Sequence, residues 1–210
     1  MPKWSGQCPD CNAWNTLTEV PAESSVSSIS RFRDYQARAP EVICLDEVSG
    51  IESARISSGL TELDRAIGGG LVSGSALLLG GDPGIGKSTL LLQVLEAVHR
   101  KSGIGTLYVS GEESAQQISL RGKRLGLSLS QISLLTENNL DTILAIAGRE
   151  KPGFLVIDSI QTVYTEQLQS APGAVAQVRE CAAQLVRYAK QTNTTVILVG
   201  HVTKEGHLAG

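Results

Sequence analysis

The residues best suited to chemistry form a glycine-rich loop that ends in lysine, serine and threonine; residues 81–89 spell GDPGIGKST. The loop matches the phosphate-binding pattern GxxxxGK[ST], and it lies between the apolar run 75–79, typical of a strand, and a leucine-rich segment typical of a helix. Glycines let backbone N–H groups turn toward an anion, and the helix N-terminus adds partial positive charge at the same place. We therefore predict that a nucleotide is bound by Gly81, Asp82, Pro83, Gly84, Ile85, Gly86, Lys87, Ser88 and Thr89.

Two side chains of this loop have specific predicted roles. Lys87 is expected to reach the β- and γ-phosphates of ATP, and the Ser88 hydroxyl is expected to ligate Mg²⁺. The alternative is a glycine-rich turn with a chance lysine. The flanking strand and helix favour the phosphate-binding interpretation.

Acidic side chains follow two further strand-like runs. Asp158 ends the run 154–158, and α/β sheets bind ligands at the carboxyl ends of their strands, so we predict that Asp158 holds Mg²⁺ directly or through water. Glu112 and Glu113 follow the run 107–110, and a carboxylate there can accept a proton from the water that attacks the γ-phosphate. Glu112 is the first candidate for this base and Glu113 the second. The alternative is that they cap the next helix, whose N-terminus favours acids.

His201 closes another strand-like run, at 195–199. A polar residue at this position can contact the γ-phosphate and report hydrolysis to the loop that follows. A single histidine can equally be a structural or a solvated residue. Both interpretations remain open from the sequence.

The elements that position these residues alternate between strand and helix. Strands are predicted at 75–79, 106–110, 132–135, 154–158 and 195–200, and helices at 87–101, 113–125, 139–149 and 174–191. A short helix is predicted from residue 61, ended by the glycines at 68–70. This alternation favours an α/β fold with a mostly parallel sheet flanked by helices. We expect three regions: a cysteine-containing segment at 1–20, a linker at 21–47 and the globular core at 48–210.

Composition and charge narrow the function classes. The chain has 210 residues and a formal net charge of -3, so no overall basic field favours nucleic acid and any DNA contact must be local. The sequence contains no apolar run of about 18 residues, so no membrane partner is expected. Its N-terminus lacks the apolar core of a signal peptide, which predicts a cytoplasmic protein. Its four cysteines do not indicate a disulfide framework.

Cys8 and Cys11 form a C-x-x-C pair, which is half of a zinc site. Cys44 and Cys181 belong to other segments, and the thioredoxin-type context of a redox pair is absent. Two thiolates cannot close a tetrahedral site, so we expect no stable zinc ion on this pair in a monomer.

These segments together resemble the RadA (Sms) family of bacterial DNA repair ATPases. The resemblance rests on residues 2–11 with the tryptophan at 14, on SGLTELDR at 58–65, on GGGL at 68–71, on the phosphate loop and on YVSGEES at 108–114. The phosphate loop alone is common to many unrelated enzymes. The combination is much narrower, and it extends over nearly the whole chain.

The resemblance implies a RecA-like P-loop ATPase core that uses ATP and Mg²⁺, behind an N-terminal zinc finger that binds Zn²⁺. It implies a homo-hexamer that binds single-stranded DNA, acts with a RecA-type recombinase and drives branch migration of recombination intermediates. It also implies that Glu112 activates water, that His201 senses phosphate, and that the loops at 164–175 and from Thr203 onward face DNA.

The chain departs from the family pattern at both ends. It begins after the first C-x-x-C of the family's finger, and it stops at Gly210, before the family's KNRFG motif. We therefore expect a fragment with half of the finger and a core truncated at its C-terminal side. The alternative function is a KaiC-like regulatory nucleotide-binding module, which shares the GGGL and Glu-Glu features but not the cysteine and tryptophan segment.

Overall fold

The computed structural model describes Cys44 and residues 55–201, and the structural statements below concern these residues. The chain divides into two compact units, residues 1–47 and 48–210. All described residues except Cys44 belong to the second unit. The predicted finger segment, including Cys8 and Cys11, and the loop from Thr203 onward lie outside the described residues.

Five parallel strands form one sheet. In chain order they are β1 (Ala76–Gly81), β2 (Thr106–Ser110), β3 (Ile132–Thr136), β4 (Phe154–Asp158) and β5 (Thr195–His201). Across the sheet the order is β1-β5-β4-β2-β3, and every pairing is parallel. β2 and almost all of β4 are buried on both faces, as expected for inner strands covered by helices on both sides. The predicted α/β fold class is confirmed.

Helices occupy all four crossovers between consecutive strands. The helices are α1 (Thr61–Ala66), α2 (Lys87–Ser102), α3 (Ala115–Arg124), α4 (Leu140–Glu150) and α5 (Val175–Thr192), with a short 3-10 turn at Leu129–Gln131. α1 is the predicted short helix, and Gly68 with φ 78° follows it. A positive φ at this point favours glycine, which explains why the helix stops there.

Three helices begin later than predicted, α4 and α5 by one residue and α3 by two. The helix expected at 113–125 starts at Ala115, because Ser114 is its N-cap. The Ser114 hydroxyl accepts a hydrogen bond from the backbone N–H of Gln117, and the Gln117 side chain accepts one from the N–H of Ser114. Glu112 and Glu113 therefore precede the helix, and the interpretation of these acids as its caps is wrong.

Two apolar layers cover the sheet, one on each face. Alternate residues of β2 and β4 enter different layers: Leu107 and Leu155 pack with α4 and α5, whereas Tyr108 and Val156 pack with α2 and Ile118 of α3. The pleat of a strand sends successive side chains to opposite faces, which accounts for this division. Burial of apolar side chains on both faces stabilises the sheet.

Parallel pairing brings the carboxyl ends of the strands to one edge of the sheet. β1 leads into the phosphate loop, β2 into Glu112, β4 ends at Asp158 and β5 at His201. The residues predicted to bind nucleotide or to assist its hydrolysis are far apart in sequence, but they lie at the same edge of the sheet. In the part of the chain that the structure describes, no helix is long and apolar enough to cross a membrane.

Candidate active site

The loop between β1 and α2 has the backbone of an anion site. Gly84 and Gly86 have φ values of 79° and 104°, which favour glycine, and, chain neighbours aside, no atom of the described residues lies within 4 Å of the position that a Cβ would take in either residue. Gly86 is the N-cap of α2, and no side chain caps this helix end. The first N–H groups of the 16-residue helix are therefore available to a phosphate, together with the partial positive charge of the helix end.

Lys87 is held inside the loop. Its side chain is largely buried, and its Nζ donates hydrogen bonds to the carbonyl oxygens of Gly81 at 2.7 Å and Asp82 at 2.8 Å. The same Nζ lies 3.5 Å from Nδ1 of His201. Among the described residues, the buried ammonium is satisfied by neutral carbonyls and by no carboxylate, so its charge remains available to a phosphate.

Asp158, at the end of β4, and Ser88, in the first turn of α2, both line the cleft beside the phosphate loop. The phenol of Tyr108 donates a hydrogen bond to Oδ2 of Asp158, and the Ser88 side chain is near enough to the phenol to influence its pKa. Burial of Tyr108, followed by the charge of Asp158, raises the pKa of the phenol far above its usual value, so it remains protonated and acts as a donor. The donor set offered by Ser88 and Asp158 consists of oxygen only, which fits Mg²⁺.

Glu112 belongs to a group that we call the Glu112 cluster, formed by Glu112, Ser159 and His201. Its Oε1 accepts a hydrogen bond of 2.6 Å from the Ser159 hydroxyl and lies 3.3 Å from Nε2 of His201. With Nδ1 of His201 facing the ammonium of Lys87, the consistent tautomer carries its proton on Nε2 and donates to Glu112. About half of the Glu112 side chain is exposed. The carboxylate thus has fixed neighbours and remains accessible to water.

Glu113 belongs to a separate group, the Glu113 cluster, formed by Glu113, Arg121 and Ser110. Arg121 of α3 forms an ion pair with Oε1 of Glu113, and the Arg121 and Glu113 side chains are 19% and 31% exposed. The hydrogen bond that Arg121 donates to Glu113 raises the pKa of the Arg121 guanidinium above its usual value. The backbone of Glu113 is fixed as well, because its N–H donates to the Ser110 hydroxyl at 3.1 Å, and that hydroxyl donates back to its carbonyl at 3.0 Å.

The phosphate loop and most of these side chains line one cleft of about 220 Å³. Its walls contain Pro83, Gly84, Gly86, Lys87, Ser88, Thr89, Ser110, Glu112, Glu113, Arg121, Asp158 and His201. Gly81 and Asp82 support the cleft through their carbonyl contacts with Lys87, whereas the Ile85 side chain is exposed. The predicted acids and histidine therefore share one cleft with the phosphate loop.

Sequence reasoning missed four residues of this region: Tyr108, Ser110, Arg121 and Ser159. Tyr108 and Ser110 lie in β2, beside β4, where Ser110 is in register with Asp158. A polar residue opposite Asp158 in a buried strand is a signal that could have found Ser110. Arg121 lies eight residues beyond Glu113, and nothing in that spacing predicts their contact, because the residues at 113 and 114 precede the helix.

A family model described as an AAA domain matches residues 39–207. The chain belongs to this family. The match begins within the predicted linker, so the core boundary at residue 48 stays a prediction. A second family model, described as a rubredoxin metal binding domain, matches residues 1–19, the segment that contains Cys8 and Cys11.

Curated relatives are similar in sequence to this chain over its whole length. It is 56% identical to the DNA repair protein RadA of Pseudomonas aeruginosa over 210 residues, 48% identical to that of Escherichia coli and 44% identical to that of Bacillus subtilis. All of this chain is covered in each case, but it spans only 46% of the length of each relative. The resemblance to RadA proteins predicted from the sequence is confirmed.

A solved structure shows a similar fold. The KaiC-like protein of the archaeon Pyrococcus horikoshii superimposes with a TM-score of 0.60, covering 71% of this chain and 73% of the other at 23% identity. At this identity the likeness concerns the fold alone. It supports the RecA- and KaiC-type arrangement of the parallel sheet and its helices.

Proposed function

We propose that this chain is the nucleotide-binding core of a DNA repair ATPase that hydrolyses ATP to act on recombination intermediates. The observation that carries the proposal is the convergence of Lys87, Ser88, Asp158 and Glu112 in one cleft at the carboxyl edge of the sheet. A phosphate-binding loop with a lysine and a helix N-terminus, two oxygen ligands and one accessible carboxylate are the parts that phosphoryl transfer to water requires. The name of the relatives, DNA repair protein RadA, supports the biological setting.

The residues would divide the work as follows. The loop N–H groups and Lys87 bind the β- and γ-phosphates, and Lys87 exchanges its contacts with the Gly81 and Asp82 carbonyls for phosphate oxygens. Ser88 and Asp158 hold Mg²⁺, which neutralises charge on the phosphates when it is bound. Glu112 orients the attacking water and accepts its proton.

His201 has the position of a sensor in this scheme. It bridges Lys87 and Glu112, so a phosphate that draws Lys87 away also changes the partners of the histidine. Its carbonyl oxygen accepts a hydrogen bond from the Gln161 side chain at 3.3 Å, in the segment that leads to the loop at 164–175. This contact supports a path from the phosphates to that loop, which we propose to face single-stranded DNA.

The loop at 164–175 has a defined shape that suits such a role. The buried Gln177 amide donates to the carbonyls of Thr165, Leu168 and Ser170, and its oxygen accepts from the N–H of Thr165. One side chain of α5 therefore fixes four backbone groups of the loop. A loop fixed at its base can present its outer surface to DNA without ordering itself first.

The finer parts of the proposal concern the full-length protein. We propose a cytoplasmic homo-hexamer that binds single-stranded DNA, works with a RecA-type recombinase and promotes branch migration. Zn²⁺ would be bound by a finger that includes Cys8 and Cys11. The match of residues 1–19 to a rubredoxin metal binding domain supports this assignment.

A second candidate is a KaiC-like regulatory module that binds ATP without acting on DNA, favoured only by the fold likeness. ATP turnover by the full-length protein and by residues 1–210, with and without a single-stranded oligonucleotide, separates the two. We expect DNA to stimulate turnover of the full-length protein. If DNA does not change the rate of ATP turnover, the regulatory module is favoured. If neither form binds Mg²⁺-ATP, both candidates are overturned.

A further inference from the structure

Tyr108 is a buried tyrosine whose hydroxyl is in contact with the predicted metal site. Its side chain is 1% exposed, and the ring packs in the apolar layer beneath α2. A phenylalanine would fill the same layer, so packing does not explain the hydroxyl. A buried phenol needs a hydrogen-bond partner, and here that partner is Oδ2 of Asp158.

The sheet register explains how the phenol reaches this carboxylate. Tyr108 of β2 lies opposite Val156 of β4, and Asp158 is two residues further along β4. Because side chains alternate, Val156 and Asp158 point to the same face, about 6.6 Å apart along the strand. Tyr108 belongs to that face as well, so its long side chain extends along β4 toward Asp158.

Ser88, in the first turn of α2, lies beside the same phenol. Tyr108 thus adjoins both residues of the predicted metal site, although it does not line the cleft itself. Residues that hydrogen-bond a metal's carboxylate ligand from behind fix its orientation, and their loss weakens metal binding.

We propose that Tyr108 is a positioning residue for divalent metal binding, which holds Asp158 through Oδ2 and leaves Oδ1 for Mg²⁺ or its water. This inference rests on the proposed function, because it assumes Mg²⁺-dependent nucleotide binding in this cleft. It predicts that the hydroxyl matters for the metal and not for the phosphate loop. Binding of nucleotide without metal depends on Lys87 and on backbone N–H groups, whereas the Tyr108 hydroxyl contacts the side chains of Asp158 and Ser88.

The test compares wild type, Tyr108→Phe and Tyr188→Phe in the 210-residue chain. ADP affinity is measured by calorimetry over a range of Mg²⁺ concentrations and in EDTA, with thermal unfolding of each protein. Tyr188 is a mostly buried tyrosine of α5 in the layer on the other face, and its variant serves as the matched control. We expect Tyr108→Phe to raise the half-saturating Mg²⁺ concentration about tenfold, with ADP affinity in EDTA unchanged, and Tyr188→Phe to leave both values unchanged.

Three outcomes would decide against the inference. Equal Mg²⁺ dependence of wild type and Tyr108→Phe would overturn it while leaving the proposed function intact. Equal loss of ADP affinity with Mg²⁺ and in EDTA would show a structural role and overturn it too. If wild type binds ADP with no Mg²⁺ dependence, the proposed function fails and the inference fails with it.

A double substitution separates positioning from folding. If Tyr108 acts through the carboxylate, Tyr108→Phe causes no further change in Mg²⁺ dependence when Asp158→Asn is already present. A further shift of the same size in that background would mean that the phenol acts by another path, and it would overturn the proposal.

Discussion

Two adjacent glutamates occupy different environments in the same cleft. Glu112 has a hydroxyl and an imidazole beside one oxygen, and half of its side chain is exposed. Glu113 forms an ion pair with Arg121, and its backbone is fixed by Ser110. The Glu113 oxygen that contacts Arg121 already accepts a hydrogen bond from the guanidinium, and the Glu113 side chain is less exposed than that of Glu112. The comparison supports Glu112 as the base and a structural role for Glu113.

The difference originates in one turn of backbone. Ser114 caps α3, so residues 112 and 113 lie in the bend between β2 and the helix. In this bend Glu112 reaches the end of β4 at Ser159, whereas Glu113 contacts α3 at Arg121.

The largest expected effect is a loss of ATP turnover when the Glu112 carboxylate is removed, and it tests the difference between the two glutamates directly. In the full-length protein, we expect Glu112→Gln to lower ATP turnover by about 10²–10⁴-fold, the usual contribution of a general base. The amide keeps the shape of the side chain but cannot accept the proton. Glu113→Gln is the matched control, because it makes the same chemical change one residue away, and its turnover should stay close to that of wild type.

Steady-state ATP hydrolysis and nucleotide affinity are both measured for this pair. The affinities should be unchanged, which would exclude a general loss of the site. If Glu113→Gln loses turnover and Glu112→Gln does not, the assignment of the two residues is reversed. If both turn over normally, neither is the base.

The next effect concerns Lys87, which adjoins the Glu112 cluster through His201. Lys87→Ala removes a charge-assisted phosphate contact, so we expect nucleotide affinity of residues 1–210 to fall about ten- to a hundredfold, or about 1.5–3 kcal/mol. Lys190→Ala, at an exposed position in the last turn of α5, is the control for loss of a positive charge. If a titration gives equal nucleotide affinities for Lys87→Ala and wild type, the loop does not bind the phosphates as proposed.

The fold could be predicted from the sequence to within a few residues, and the reasons are local. The run 154–157 is apolar without alternation because β4 is buried on both faces, and the helix start after the glycine-rich loop follows from the motif. The predicted start of α3 at residue 113 is two residues too early, because the capping box of Ser114 and Gln117 fixes the helix start at Ala115.

The candidate site was predictable only where a motif or a strand end indicated it. Lys87, Ser88 and Asp158 stand at such positions, and the cleft contains all three. Arg121 and Tyr108 were not predictable, since their roles depend on contacts across the connection to α3 and across the sheet. Such contacts depend on the packing of helix and sheet, which one sequence does not display.

The free energy of unfolding tests whether the Glu113 cluster has a structural role. We expect Arg121→Met to lower the free energy of unfolding by about 1–2 kcal/mol, between the limits for exposed and fully buried pairs. The exposed pair Arg65–Glu62 on α1, with side chains 78% and 80% exposed, provides the control. Arg65→Met should cost at most about 0.5 kcal/mol. Equal losses in urea unfolding would mean that Glu113 is not held by Arg121 in solution.

The smallest expected effect concerns the two serines, each of which holds one glutamate. Ser159→Ala removes the 2.6 Å hydrogen bond to Glu112, and a bond of about 0.5–1.5 kcal/mol corresponds to about a two- to tenfold loss of turnover if it positions the base. Ser110→Ala removes the contacts with the Glu113 backbone, so its effect should appear mainly in the free energy of unfolding. Turnover and urea unfolding of both variants are compared in the full-length protein. If Ser110→Ala slows turnover more than Ser159→Ala does, the catalytic role lies with the Glu113 side of the cleft, because the serine that matters for hydrolysis must be the one that positions the base.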